Sequence, residues 1–218
     1  MKSLAHFRAK ARRDNLEIEH ILAAAKNKIP GLAEELEELI VECGWTDGGL
    51  ADQNNLIIPF RRWAVTACAY LRGGCYGLCV LAEDRKFLPF VFAMLRELHS
   101  WEAVDALLAI SHEIIKAPGK DMKLAKHVAE TLNSLFSFEP LIYISANDAV
   151  LLRKFLHQYI RLPVFDVERA IGTLALRRIG NEESINLIQE QPPLAEPWHE
   201  TNLLTIRTIQ KRLKNLPS

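Results

Sequence analysis

The sequence predicts an all-α fold of stacked antiparallel helical hairpins. Three observations predict it. Nearly every segment repeats its apolar residues with a period near 3.6. No stretch sustains the period-two alternation of a half-buried strand. "PLIYISA" (140–146) is strand-like, but it is short and isolated and reads as an extended connector. The breaks are short, as between antiparallel neighbours. They fall at Pro30–Gly31, Gly44–Asn55, Pro118–Gly119, Phe138–Ser145, Pro163 and Gln191–Pro197, and separate about nine helices.

In chain order, "GLAEELEELIVECG" puts Leu32, Leu36, Leu39, Ile40 and Cys43 on one face, and Gly44 takes the C′ position. The longest apolar run, near "WAVTACAYL", stops at Arg72–Gly73–Gly74. That is short of the ~20 residues a membrane-spanning helix needs, so no membrane partner is expected. "RKFLPFVFAMLREL" carries one stripe of Phe87, Leu88, Val91, Met94, Leu95 and Leu98. In "SWEAVDALLAISHEII", Ser100 is the N-cap, and Trp101, Val104, Leu107, Leu108, Ile114 and Ile115 point inward. "KLAKHVAETLNSLF" uses Ala125, Val128, Leu132, Leu135 and Phe136. "NDAVLLRKFLHQYI" opens on an Asn/Asp cap and buries Leu151, Leu152, Phe155 and Tyr159. The run from Asp166 to Ile179 is expected to bury Val167, Ala170, Ile171 and Leu174. A last helix covers about Glu200 to Leu213.

An internal repeat fits this layout. "LRELHSWEAVDALL" (Leu95–Leu108) and "LRRIGNEESINLIQ" (Leu176–Gln189) share Leu, Arg and Glu outright at an offset of 81 residues. The pairs Leu98/Ile179, Val104/Ile185 and Leu107/Ile188 match in kind. Helical hairpin repeats have a period of ~40–47 residues, so the offset is about two repeats.

"DVERAIGTLALRRIGNEESINLI" (Asp166–Ile188) then resembles the HEAT-repeat family, especially its short bacterial variety. The matching residues are Asp166, Val167, Arg169, Ala170, Leu174, Ile179, Gly180, Asn181, Glu182 and Ile185. The likeness is clearest over about residues 147–213. It implies a HEAT-like α-solenoid, in which each hairpin buries its face against the next. Gly180 can then end a helix at positive φ. The expected organisation is one all-α domain over 1–218. Residues 1–56 form less regular N-terminal helices, and 57–218 form HEAT-like hairpins.

Composition narrows the function. With 49% apolar and 25% charged residues over 218 positions, the chain is long enough and apolar enough to bury an ordinary core. Lys+Arg and Asp+Glu both total 27, which argues against a duplex-binding surface, because such surfaces carry a basic excess. Cys68, Cys75 and Cys79 share a helical face, while neither a histidine nor a carboxylate falls at ligand spacing beside them. They read as small buried thiols, and no metal or cofactor is expected. Reduced thiols and the lack of an apolar h-region in "MKSLAHFRAKARRDN" fit a cytoplasmic protein.

Charge is segregated even though it sums to zero. Residues 31–56 hold Glu34, Glu35, Glu37, Glu38, Glu42, Asp47 and Asp52 with no Lys or Arg, whereas residues 1–30 are rich in Lys and Arg. A solvated helix face would explain the acids; so would a patch that steers a basic partner. Trp45 stands beside the patch in the loop "GWTDGG", either tucked onto the core or exposed as a binding anchor. Glu34, Glu35, Glu37, Glu38, Glu42, Trp45 and Asp47 are the candidate partner-binding set. The function they suggest is non-catalytic protein binding, such as neutralising a basic toxin.

The alternative class is a HEAT-like DNA glycosylase for alkylated bases. Those enzymes place their catalytic Asp in a Trp-x-x-Val-Asp-like segment, which "WEAVD" supplies as Trp101 and Asp105. The aromatic the family places after Ala–Ile–Gly is Thr173 here. As a core anchor and a solvated acid, Trp101 and Asp105 need no chemistry.

Overall fold

The computed structural model describes residues 3–11, 16–46, 50–51, 57–138 and 144–215. Among them the chain is built of α-helices, with one pair of two-residue strands. It divides into two compact units, Met1–Leu98 and His99–Ser218. The N-terminal helices α2 and α3 fall in the first unit because they pack on the long helix that follows them.

The first unit contains α1 (Leu4–Ala11), α2 (Ile18–Lys26), α3 (Leu32–Glu42), α4 (Phe60–Leu81) and α5 (Leu88–Leu98). The strands β1 (Leu50–Ala51) and β2 (Ile57–Ile58) pair antiparallel, with Leu50 opposite Ile58. Two residues are too few to show an alternating pattern in sequence. α4 packs against α2, α3 and α5. Ile21, Leu32, Leu36, Ala64, Ala67, Leu78, Val91 and Met94 are buried there. Within α3, Ile40 is only half-buried and Cys43 is exposed, so the inward stripe stops at Leu39.

α4 runs on through Arg72–Gly73–Gly74, where the sequence reading ended it. By length and composition it could cross a membrane. It is not one rod, however: Gly74 sits at φ 57° and ψ −145°. No side chain adopts that conformation readily, so glycine is what permits the break. Beyond it, Gly77 lies so close to the Ala69 carbonyl that a Cβ there would clash. Cys68 and Cys75 consequently sit on opposite sides of a break, not on one continuous face. The Cys68 thiol donates to the Ala33 carbonyl at 3.5 Å, and burial, with Glu37 second, raises its pKa to about 11.

The second unit contains α6 (Trp101–Lys116), α7 (Met122–Phe138), α8 (Ala146–Tyr159), α9 (Asp166–Ile179), α10 (Glu182–Glu190) and α11 (Thr201–Lys214). Helices pack in successive pairs: α6 on α7, α8 on α9, α10 on α11. Alternate helices also touch. α8 contacts α6 and α10, and α9 lies between α7 and α11. The connector before α8 lies mostly outside the described residues.

N-caps set the helix starts. Ser100 accepts from the Ala103 N–H at 3.4 Å, as its place before an apolar run predicts. For α8 the cap is Ser145 rather than Asn147 or Asp148; its Oγ accepts the Asp148 N–H at 3.1 Å. Asn181 caps α10 in a capping box with Ser184.

α9 buries a different face from the expected one. Ala170, Gly172, Thr173, Ala175, Leu176 and Ile179 are buried, whereas Leu174 and Ile171 are half-buried and Val167 is exposed. A helix covered on three sides by α7, α8 and α11 must bury most of its circumference. Small residues then carry the close approaches, and the larger stripe is left on the open side. A Cβ on Gly172 would sit 2.8 Å from the Tyr159 ring and 2.9 Å from Ile160.

Gly180 is also needed for a reason other than the predicted one. Its φ is −61°, not positive. A Cβ there would stand 2.6 Å from Ile209 Cδ1, so glycine lets α11 approach the end of α9. Without a left-handed cap, the last carbonyls of α9 need other donors. Arg153 of α8 donates to the Ile179 carbonyl at 2.9 Å, and Arg212 of α11 donates to the Gly180 carbonyl. Basic side chains also suit the negative end of a helix dipole.

Candidate functional site

α3 displays the acidic set, and its neighbours divide the set in two. Glu35 is buried and paired with Arg8 of α1. It is an internal ion pair and is not available to a partner. Glu37 pairs with Arg72 at 2.8 Å, half-exposed. Glu34, Glu38 and Glu42 are exposed and form no ion pair among the described residues. Asp47 lies outside the described residues, as does Asp52.

The exposed carboxylates share one face because they are spaced i, i+4 and i+8. Val41, at i+7, lies at the edge of that face, between Glu34 and Glu37 around the helix, and is 81% exposed. Sequence periodicity passes over Val41, since it occupies a polar position. A fully solvated valine framed by acids is the one signal that could have marked it. Taken with Glu37, the face therefore has an apolar centre and a carboxylate rim, and it presents acceptors only.

Trp45 does not join this surface. Its ring is 7% exposed and stacks on Phe60 with centroids 5.4 Å apart. The helix end dictates this. Gly44 takes φ 61°, the Gly44 N–H donates to Val41 at 3.3 Å, and the Trp45 N–H donates to Ile40 at 3.1 Å. These are the two bonds of a Schellman motif, which turns the next side chain back toward the core. Trp45 is a structural anchor beside the acidic face rather than an exposed binding anchor.

The second pair singled out in sequence lies on α6. Trp101, expected inward, is 58% exposed, and Asp105 one turn on is exposed as well. As the first helical residue after the Ser100 cap, Trp101 has no preceding turn to cover it. The two side chains share one outward face of α6.

A third polar cluster, missed in sequence, joins α8 to α10. His157 Nε2 lies 2.7 Å from Ser184 Oγ, and His157 Nδ1 lies 3.6 Å from a Glu183 carboxylate oxygen. Serine, histidine and carboxylate in that order suggest a nucleophile, but Ser184 is wholly buried and spends its hydroxyl elsewhere. Its Oγ donates to Asn181 Oδ1 at 3.0 Å and accepts the Asn181 N–H at 3.1 Å. By that count His157 Nε2 donates into Ser184, the tautomer opposite to that of a general base. The cluster is a buried clamp on the start of α10. Burial lowers the His157 pKa, Glu183 raises it, and Arg161 and Arg153 lower it further.

No group of three or more His, Cys, Asp or Glu side chains among the described residues is arranged to hold a metal ion. No family model, curated protein or solved structure matches the chain.

Proposed function

We propose that this chain is a non-catalytic, cytoplasmic protein-binding module whose acidic α3 face receives a basic protein surface, as in the neutralisation of a basic toxin. The observation that carries the reading is the α3 face itself. Glu37 on one side and Glu34, Glu38 and Glu42 on the other flank a valine that is 81% exposed. A lone exposed valine is ordinary on a surface, but an apolar centre inside a single-sign rim has the anatomy of a small interface. The rim speeds the encounter with an oppositely charged protein, and the centre slows its release.

The second unit supports the scaffold part of the reading. Its helices pack in successive pairs, and its alternate helices form two rows, α6–α8–α10 and α7–α9–α11. That pairing is what a HEAT-like α-solenoid would produce. On α9 the open side carries Val167, Ile171 and Leu174 at the four- and three-residue spacing of one helical stripe.

Capture from native lysate followed by surface plasmon resonance at two ionic strengths tests the reading. Replacing Glu34, Glu37 and Glu38 with Lys should slow association and reverse its response to salt. Unchanged kinetics would remove α3 from the interface. Release of alkylated bases from DNA by the purified protein, lost in Asp105→Asn, would replace the reading with an enzymatic one.

A further inference from the structure

The chain carries a counterpart to its own acidic face. α11 holds Arg207, Lys211, Arg212 and Lys214 and no acid, whereas α3 holds five glutamates and no base. Arg212 is committed to the Gly180 carbonyl. Arg207, Lys211 and Lys214 are exposed and form no ion pair among the described residues, as is true of Glu34, Glu38 and Glu42.

The likeness extends to the apolar component. Leu203 and Leu204 are 57% and 44% exposed on α11, and Leu203, Leu204, Arg207, Lys211 and Lys214 fall on one side of the helix. Each face thus combines exposed aliphatic side chains with three uncompensated charges of one sign. The charged rows also match in length. At ~1.5 Å per residue, Glu34 to Glu42 spans ~12 Å and Arg207 to Lys214 spans ~10 Å.

We propose that the basic surface received by α3 is the α11 face of a second copy of this chain. The inference rests on the functional reading of α3 and names its partner. Charge complementarity selects the second copy. Three bases and two leucines meet three acids and a valine, and a net formal charge of zero leaves no overall repulsion between copies. Because the two faces differ, the contact is heterologous. It propagates head to tail and either closes into a ring or continues as an open chain.

A charge-swap experiment tests this. One variant carries Glu34→Lys, Glu38→Lys and Glu42→Lys; the other carries Arg207→Glu, Lys211→Glu and Lys214→Glu. All six positions are exposed, and unchanged circular dichroism and melting confirm that both variants fold. Sedimentation velocity runs from ~5 to ~500 μM in ~50 mM and ~500 mM NaCl. The wild-type chain should associate in a concentration-dependent manner, and high salt should weaken association by ~10-fold or more. Each variant alone should be monomeric. Their equimolar mixture should associate again, since each altered face then meets an opposite one.

A wild-type chain that stays monomeric at every concentration overturns self-association. If lysate capture in that case still depends on Glu34, Glu37 and Glu38, the acidic face keeps its role with another protein. Association that survives either set of substitutions, or a mixture that fails to reassociate, also overturns the proposal.

Discussion

Replacing Gly180 with alanine should destabilise the second unit by about 1–2 kcal/mol, for a steric reason and not a conformational one. A φ of −61° is open to alanine, so the cost comes from what the new Cβ meets. The added Cβ would stand 2.6 Å from Ile209 Cδ1, 2.7 Å from the Leu176 carbonyl oxygen and 3.1 Å from Ile209 Cγ1. Overpacking of this kind costs ~1–3 kcal/mol. Removing a glycine from the unfolded chain returns ~0.4–1 kcal/mol. Ile209 Cδ1 is removable and the Leu176 carbonyl is not, so Ile209→Val should relieve part of the clash and leave the rest. Alone, Ile209→Val should cost ~0.5–1.5 kcal/mol, because Ile209 is fully buried. The double variant should lose at least ~0.5 kcal/mol less than the sum of the single losses. The assay is urea denaturation followed by circular dichroism, with free energies from linear extrapolation. Strictly additive losses would refute the reasoning, because a strained backbone at Gly180 gains nothing from a shorter side chain at 209.

Leu176→Ala should cost ~2–5 kcal/mol and Leu174→Ala clearly less, since Leu176 is fully buried and Leu174 only half so; equal losses in denaturant melts would reverse the assignment of α9's faces. Trp45→Ala should lower stability by ~3–5 kcal/mol through loss of its packing on Phe60, whereas a variant of unchanged melting temperature would return Trp45 to the surface. The His157 pKa is lowered from 6.5 in the folded state, so its contribution is complete above pH 6.5 and is lost as pH falls through the lower, folded-state pKa. Thermal melts across that window should show the loss in the wild type and a flatter profile in His157→Gln; parallel profiles would mean that His157 is not the responsible group.

Much of the helical framework can be read from the chain, because periodicity and caps are local. Ser100 and Gly44 act as their neighbours in sequence require. What escapes the sequence is set by distant partners. Glu35 and Glu37 look like their exposed neighbours until Arg8 and Arg72, 27 and 35 residues away, pair with them. Trp45 is ambiguous because its position depends on two backbone bonds and on Phe60, none of which a loop rich in glycine specifies. The face of α9 is misread because amphipathic reasoning assumes one covered side, and this helix has three. Of the candidate site, the carboxylates were legible and their apolar centre was not. Val41 sits where the helical pattern calls for a polar residue, and only its solvation shows that it stayed outside.

The arginines at the end of α9 have a consequence for how the second unit comes apart. Arg153 and Arg212 reach the adjacent carbonyls of Ile179 and Gly180 from positions 26 and 32 residues away. A terminal helix pair that touches only its neighbour can fray at little cost to the rest. Here, opening α11 strips the donor from Gly180 and uncovers the glycine contact with Ile209 in the same movement. The last pair of helices is thereby riveted to the middle one, and fraying is suppressed at the C-terminal end of the unit. Amide hydrogens at the end of α9 should then exchange at the rate set by α11, so that the last two pairs open as one cooperative block rather than in sequence.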